Sequence, residues 1–206
     1  ALDYYEKSLA IKKELDDNLG MATILNNIGL LKSDKDDLNE ALYCYKKSLA
    51  IREEFRDKSG IATVVANMGT LYWRKGDLDK ALDYLKRGLK IDYELGDKNG
   101  IGLSLSNIGI AYWNKGDLDK ALDYLERSLA IRKKLQDKNG IAENFNNIGS
   151  LYLNKGHYEI ALKYLEKSLS IRKEYSVSSE ALLVTTTSVY LTYKYLGKDY
   201  NQVVIK

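Results

Sequence analysis

The sequence predicts an all-α solenoid of antiparallel helix pairs, and three observations predict it. First, the chain restates itself every 40 residues: ALDYLKRGLKIDYELGDKNGIGLSLSNIGIAYWNKGDLDK (81–120) is nearly repeated by ALDYLERSLAIRKKLQDKNGIAENFNNIGSLYLNKGHYEI (121–160). A fixed period of this size marks stacked units, each burying its apolar face only against its neighbours. Second, every period holds two stretches with apolar residues at three- and four-residue spacing, the signature of amphipathic helices. Third, small residues recur in register: Gly29, Gly69, Gly109 and Gly149 in the first helix of each unit, Ala41, Ala81, Ala121 and Ala161 in the second. A mid-helix Gly costs about 1 kcal/mol against Ala, so four in register argue for close helix approach.

The chain opens on a lone second helix over about 2–16, the remnant of a truncated repeat spanning 1–19. Four helix pairs follow, over 20–56, 60–95, 100–135 and 140–175. In the second pair Ile61, Val64, Val65, Met68, Leu71 and Tyr72 form the first stripe, and Lys75-Gly76-Asp77 ends it. Gly76 supplies the left-handed turn and Asp77 caps the next helix. Leu78, Ala81, Leu82, Leu85, Leu89 and Ile91 form the second stripe. The break GDKNG (96–100) closes that unit, with counterparts DDNLG (16–20), RDKSG (56–60) and QDKNG (136–140). Proline is absent, so nothing interrupts these helices. A further first helix (about 180–196) and a stub, Asp199–Lys206, make an atypical last repeat over 180–206. The whole of 1–206 reads as one array. It begins in mid-repeat, as a piece of a longer array would.

Charged residues make up 30% of the chain and apolar ones 45%, and the net charge is only +3. Lys and Arg alternate with Asp and Glu at helical spacing, which describes a solvated face and not a nucleic-acid footprint. No apolar run approaches the roughly 18 residues a membrane span needs, and no signal peptide is visible. Cys44 is the only cysteine. It excludes an internal disulfide, fits a reducing, cytoplasmic setting, and reads as a small half-buried side chain where sister repeats carry Tyr84, Tyr124 and Tyr164.

The residues Met68-Gly69, Tyr72, Gly76-Asp77-Leu78, Ala81, Leu85 and Gly88 follow a known order. So do Ile108-Gly109, Tyr112, Gly116-Asp117-Leu118, Ala121, Leu125 and Ser128, and Ile148-Gly149, Tyr152, Gly156, Tyr158, Ala161, Leu165 and Ser168. This pattern resembles the tetratricopeptide repeat over almost the whole chain. The 40-residue form, longer than the usual 34 and without the closing proline, is similar to the arrays of kinesin light chains, of Pins-type spindle-orientation adaptors and of many bacterial and archaeal repeat proteins. Two repeats depart from it. Lys32 replaces the Tyr and Asp36 the turn Gly of the first, while Val189 and Tyr190 stand where Leu-Gly is expected in the last, whose turn gains a residue. The resemblance implies a right-handed superhelical solenoid whose first helices line a concave groove that binds extended peptides.

The residues give an independent pointer to that groove. Asn27, Asn67, Asn107 and Asn147 hold one first-helix position in four consecutive repeats, although Asn is a poor mid-helix residue. A side-chain amide has a donor and an acceptor and can meet the N–H and C=O of one peptide residue. First helices about 10 Å apart and a strand rise of about 3.3 Å per residue would bring each Asn to about every third peptide residue. The alternative is that these amides bond neighbouring backbone and hold the stack together, and repeat duplication alone would also keep them. Family alignment adds Asn26, Ala66, Ser106 and Asn146; Leu30, Thr70, Ile110 and Ser150; Trp73 and Trp113; and Asp34, Arg74, Asn114 and Asn154. The two Trp are either exposed anchors for an apolar ligand side chain or plugs between repeats. Arg74 is nearly the only groove cation, which disfavours capture of a terminal carboxylate and favours an internal peptide segment of mixed polar and apolar character.

No catalytic constellation, metal site or cofactor motif is present. His157, the only histidine, replaces the turn Asp and reads as a surface cap residue. There is no phosphate loop, nucleotide-binding glycine fingerprint or nucleophile elbow. The expected function is a non-enzymatic peptide-binding adaptor or scaffold. A regulatory or sensory module of a larger protein is the alternative. A third reading is a self-assembling array, joined end to end through apolar faces at Leu2–Leu15 and at Leu182, Leu183, Tyr190 and Leu191.

Overall fold

The computed structural model describes residues 2–175 and 179–198, so the stub expected at Asp199–Lys206 lies outside the described residues. The described residues form ten helices: α1 (Leu2–Glu14), α2 (Asn18–Asp34), α3 (Leu38–Glu54), α4 (Lys58–Arg74), α5 (Leu78–Leu95), α6 (Lys98–Asn114), α7 (Leu118–Lys134), α8 (Lys138–Asn154), α9 (Tyr158–Glu174) and α10 (Ser179–Tyr195). None of the described helices is long and apolar enough to cross a membrane. The chain divides into two compact units, Ala1–Ala111 and Tyr112–Lys206.

Helix ends follow the sequence logic with one shift. Asp77 and Asp117 cap α5 and α7, accepting from the N–H of Lys80 and Lys120 at 3.2 Å. Gly76 and Gly116 take φ of +79° and +85°, the left-handed turn that ends a helix without a Cβ penalty. The breaks ending in Gly60 and Gly140 are shorter than they read. Asp57 and Asp137 accept from Gly60 N and Gly140 N at 3.0 Å, so α4 and α8 already begin at Lys58 and Lys138. The non-glycine residues Asp16, Asp36, Arg56 and Gln136 also adopt positive φ, between 53° and 63°.

In the first unit α2 packs chiefly on α3 and α4 on α5, with α3 against α4 and α1 against α2. Ala41, Tyr45, Leu49, Ile61, Val64, Val65, Met68 and Leu71 make its core. Close approach explains the mid-helix glycine: a Cβ on Gly69 would stand 2.6 Å from Leu85 Cγ. Tyr45 replaces that leucine one repeat earlier, and burial pushes its phenol up to about 12, the nearby Asp34 charge adding to the effect. Cys44 is buried beside Ile24 and Ile28, with Leu2, Tyr5 and Leu9 of α1 against this cluster. Burial raises its thiol above the ordinary value, which is the state of an inert cysteine.

In the second unit α8 packs on α9, α7 on α8, and α10 on α9 and α8. Leu125, Leu129, Ile141, Phe145, Ile148 and Leu151 are its core. A smaller cluster of Leu165, Leu169, Val189 and Tyr193 seats α10. Because α8 starts at Lys138 and α10 at Ser179, the last repeat runs one residue late, which places Val189 where Ile148 sits in α8. Leu183, Tyr190 and Leu191 are exposed. His157 occupies the N-cap of α9 but makes no side-chain cap bond; its ring meets Tyr152 edge-on.

Two devices recur within the units. Ser48 Oγ donates to Ala22 O and Ser168 Oγ to Ala142 O, each at 2.7 Å, tying a second helix to the first helix before it. Tyrosine pairs also stack between first and second helices. The ring centroids lie 5.3 Å apart for Tyr72–Tyr84, 5.5 Å for Tyr112–Tyr124 and 5.8 Å for Tyr152–Tyr164.

Candidate protein-interaction face

The first helices carry few charges. Beyond its terminal Lys58 and Arg74, α4 has none, and α6 has only Lys98. In the first unit Asn27, Asn67 and Asn107 are half-buried, as are Ala66 and Ile110, while Leu30, Asp34, Thr70 and Trp73 are exposed. Asn26 is buried, and its Oδ1 accepts from Asn67 Nδ2 at 2.9 Å. That bond links α2 to α4 side by side, so the amide of Asn67 serves the stack. Thr70 turns its hydroxyl onto Ala66 O of its own helix at 3.2 Å. Ser106 is 4% exposed, and its hydroxyl has no partner among the described residues.

Arg74 belongs to the packing more than to the face. Its Nη1 donates to Ser33 Oγ at 2.6 Å and to Ser33 O, and Nη2 to Asp36 Oδ1 at 3.1 Å. A guanidinium placed there meets the last carbonyls and the negative end of the α2 dipole. It is thus neutralised locally, which removes the single cation the sequence offered to a ligand in this unit.

In the second unit Asn146, Asn147 and Ser150 are half-buried, and Asn114 and Asn154 are exposed. Asn146 Oδ1 accepts from Thr185 Oγ1 at 3.0 Å, a side-chain bond between α8 and α10. Asn147 differs: its Nδ2 is buried and has no hydrogen-bond partner among the described residues. The two Trp separate as well. Trp73 is 39% exposed, whereas Trp113 is half-buried against the core formed by α7 and α8.

The sequence reading missed the bonds between adjacent first helices at Asn26–Asn67 and Asn146–Thr185. The only trace of them is the pair of doublets Asn26-Asn27 and Asn146-Asn147, of which one member faces the neighbouring helix. Among the described residues there is no group of three or more His, Cys, Asp or Glu side chains placed to hold a metal ion.

Comparison with known structures places this architecture. BtubC (BKLC) of P. vanneervenii superposes with a TM-score of 0.82 at 20% identity, over 95% of this chain and 82% of that one. A putative kinesin light chain of P. anserina with nearly identical TPR-like repeats gives 0.68 at 17% identity, over 84% and 85%. A STAND signal-transduction ATPase of Pyrococcus horikoshii with a tetratricopeptide repeat sensor gives 0.80 at 20% identity; 96% of this chain aligns with 31% of that protein. At these identities the likeness is one of fold. No curated protein sequence matches the chain. The tetratricopeptide repeat model itself matches residues 1–54, 20–94 and 100–174. With helix pairs, turn glycines and capping aspartates all in the family's order, the chain belongs to the tetratricopeptide repeat family.

Proposed function

We propose that this protein is a non-enzymatic scaffold that binds an extended segment of a protein partner along its first-helix face, with the in-register asparagines pairing the ligand's backbone. The observation that carries this reading is Asn147, whose Nδ2 is buried without a partner among the described residues. A buried amide donor left unpaired costs about 1–3 kcal/mol, and because Asn147 as a whole is only half-buried, turning its amide toward the face would let a peptide carbonyl satisfy it. Asn27 and Asn107 hold the same half-buried place in their helices. Trp73 offers exposed ring area for an apolar side chain. With Arg74 engaged by Ser33 and Asp36, the face suits an internal segment better than a terminal carboxylate. The buried, unreactive Cys44 fits a cytoplasmic setting.

The test is a peptide-display selection run in parallel on the parent and on Asn107→Ala/Asn147→Ala. Sequences enriched on the parent and lost on the variant are expected, with the helical signal unchanged. Equal enrichment on both would refute backbone pairing by these amides. No enrichment on either would refute peptide binding on this face.

A further inference from the structure

The junctions between second helices and the following first helices share one construction, with a single exception in the described residues. A basic residue five positions before the capping Asp reaches it. Lys12 Nζ meets Asp17 at 2.6 Å, Arg52 meets Asp57 and Arg132 meets Asp137. The ion pair lies over the glycine of the next first turn: a Cβ on Gly60 would collide with both Arg52 and Asp57, and one on Gly140 with both Arg132 and Asp137. At the α5–α6 junction the basic residue is replaced by Asp92.

Asp92 is 6% exposed. Its Oδ2 accepts from Ser104 Oγ at 2.7 Å. Its Oδ1 and Asp97 Oδ2 lie 2.7 and 2.8 Å from one point, the place a Cβ on Gly100 would occupy. Asp97 Oδ1 meanwhile caps α6 by accepting from Gly100 N at 3.0 Å. Two carboxylates therefore face each other where the three other described junctions have opposite charges. Among the described residues no cation figures among the influences on Asp92. Of the elements packed on α5 within this unit, α4 carries only Lys58, held by Glu94 at 2.7 Å, and Arg74, held at the far end by Asp36. Beyond its first residue, Lys98, α6 has no charged side chain.

We propose that Asp92, facing Asp97, forms a proton-sensitive joint between α5 and α6, closed while Asp92 holds a proton and loosened when it ionises. Burial pushes the Asp92 carboxyl above its ordinary value; the Ser104 hydroxyl opposes this, and the Asp97 charge adds to it. A raised folded value stabilises the protonated state. The contribution is full below the unfolded Asp value of about 3.9 and is lost as pH rises through the folded value. The joint thus opens on the alkaline side.

Hydrogen exchange on the parent between pH 4 and pH 8 tests this, read at the Gly100 and Ile101 amides with Gly60 and Ile61 as internal reference. Once the intrinsic chemical rate is divided out, opening at α6 is expected to rise with pH over that range while the reference stays level. Asp92→Asn should flatten the response. Asp92→Arg, which rebuilds the sister ion pair with Asp97, should flatten it and slow exchange at all pH values. An identical pH response in the parent and in Asp92→Asn would overturn the proposal, and so would an equal rise at Gly60. If Asp92→Arg does not fold, the Asn variant decides.

Discussion

Gly88 provides a quantitative test of how second helices are fastened to first helices. Ser48 and Ser168 occupy its position in α3 and α9, are wholly buried, and donate across the pair to Ala22 O and Ala142 O at 2.7 Å. In α5 the carbonyl that would accept is Ala62 O, 3.7 Å from the place a Gly88 Cβ would take. A serine hydroxyl at that Cβ is within reach of it. The tightest neighbour is Val65 Cγ2 at 3.3 Å, a contact relieved by a shift of a few tenths of an ångström. Replacing a helical Gly by Ser gains about 0.5 kcal/mol in propensity. The bond adds about 0.5–1.5 kcal/mol net, and crowding of Val65 takes part of it back. Gly88→Ser should therefore stabilise by about 1 kcal/mol, a rise of about 2–4 °C in Tm for a chain of this size. Thermal unfolding followed by circular dichroism reads it, with Gly88→Ala separating propensity from the hydrogen bond and Ser48→Ala measuring the bond from the other side. A fall in Tm for both Gly88 variants would show that Val65 does not yield. A neutral Ser48→Ala would remove the clamp from the argument altogether.

Further stability predictions come from positions where the repeats differ in residue type. Lys32 and Cys44 stand where Tyr72 and Tyr84 stack at 5.3 Å, so Lys32→Tyr and Cys44→Tyr together should show a favourable coupling of about 0.5–1.5 kcal/mol that neither shows alone; a double-mutant cycle by urea denaturation gives it, and additivity within about 0.3 kcal/mol would contradict it. Gln136 takes a φ of 56°, a conformation that costs a non-glycine residue roughly 1–2 kcal/mol, so Gln136→Gly should raise Tm. Asp36→Gly, at φ 63°, should gain less, because Asp36 also accepts from Arg74 Nη2; equal gains at the two sites would argue against that contact.

What could be read from the sequence, and what could not, divides along physical lines. Periodicity reports which residues face inward, and that reading places Met68, Leu71, Leu85, Leu125 and Ile148 in the core where they are found. Capping chemistry is local, so Asp77 and Asp117 could be assigned directly. The first turns of α4 and α8 were harder. Gly60 reads as a helix breaker, yet it lies inside the helix because the Arg52–Asp57 pair covers it, and that pair joins the end of one helix to the cap of the next. Side-chain direction was the other limit. Trp73 and Trp113 share a repeat position but differ in exposure, and Arg74 turns to the Ser33 hydroxyl and carbonyl and to the Asp36 carboxylate at the end of α2. Spacing along one helix does not carry that information.

The asparagine ladder shows why a repeated residue need not have a repeated role. Asn67 and Asn147 are in register, but the first donates to buried Asn26 and the second has an unpartnered buried donor. Truncating Asn67 would leave Asn26 Oδ1 without its bond inside the stack, at a cost of about 1–3 kcal/mol to stability. A loss of ligand binding in Asn67→Ala would then report the stack as much as the ligand. Truncating Asn147 removes an unsatisfied donor, so the free protein should keep or slightly raise its Tm while losing whatever bond the ligand makes. Asn147 is therefore the rung on which stability and binding come apart. If Asn147→Ala and Asn67→Ala lower Tm equally, the four asparagines are fastening the array, and the ligand-facing role assigned to Asn147 is wrong.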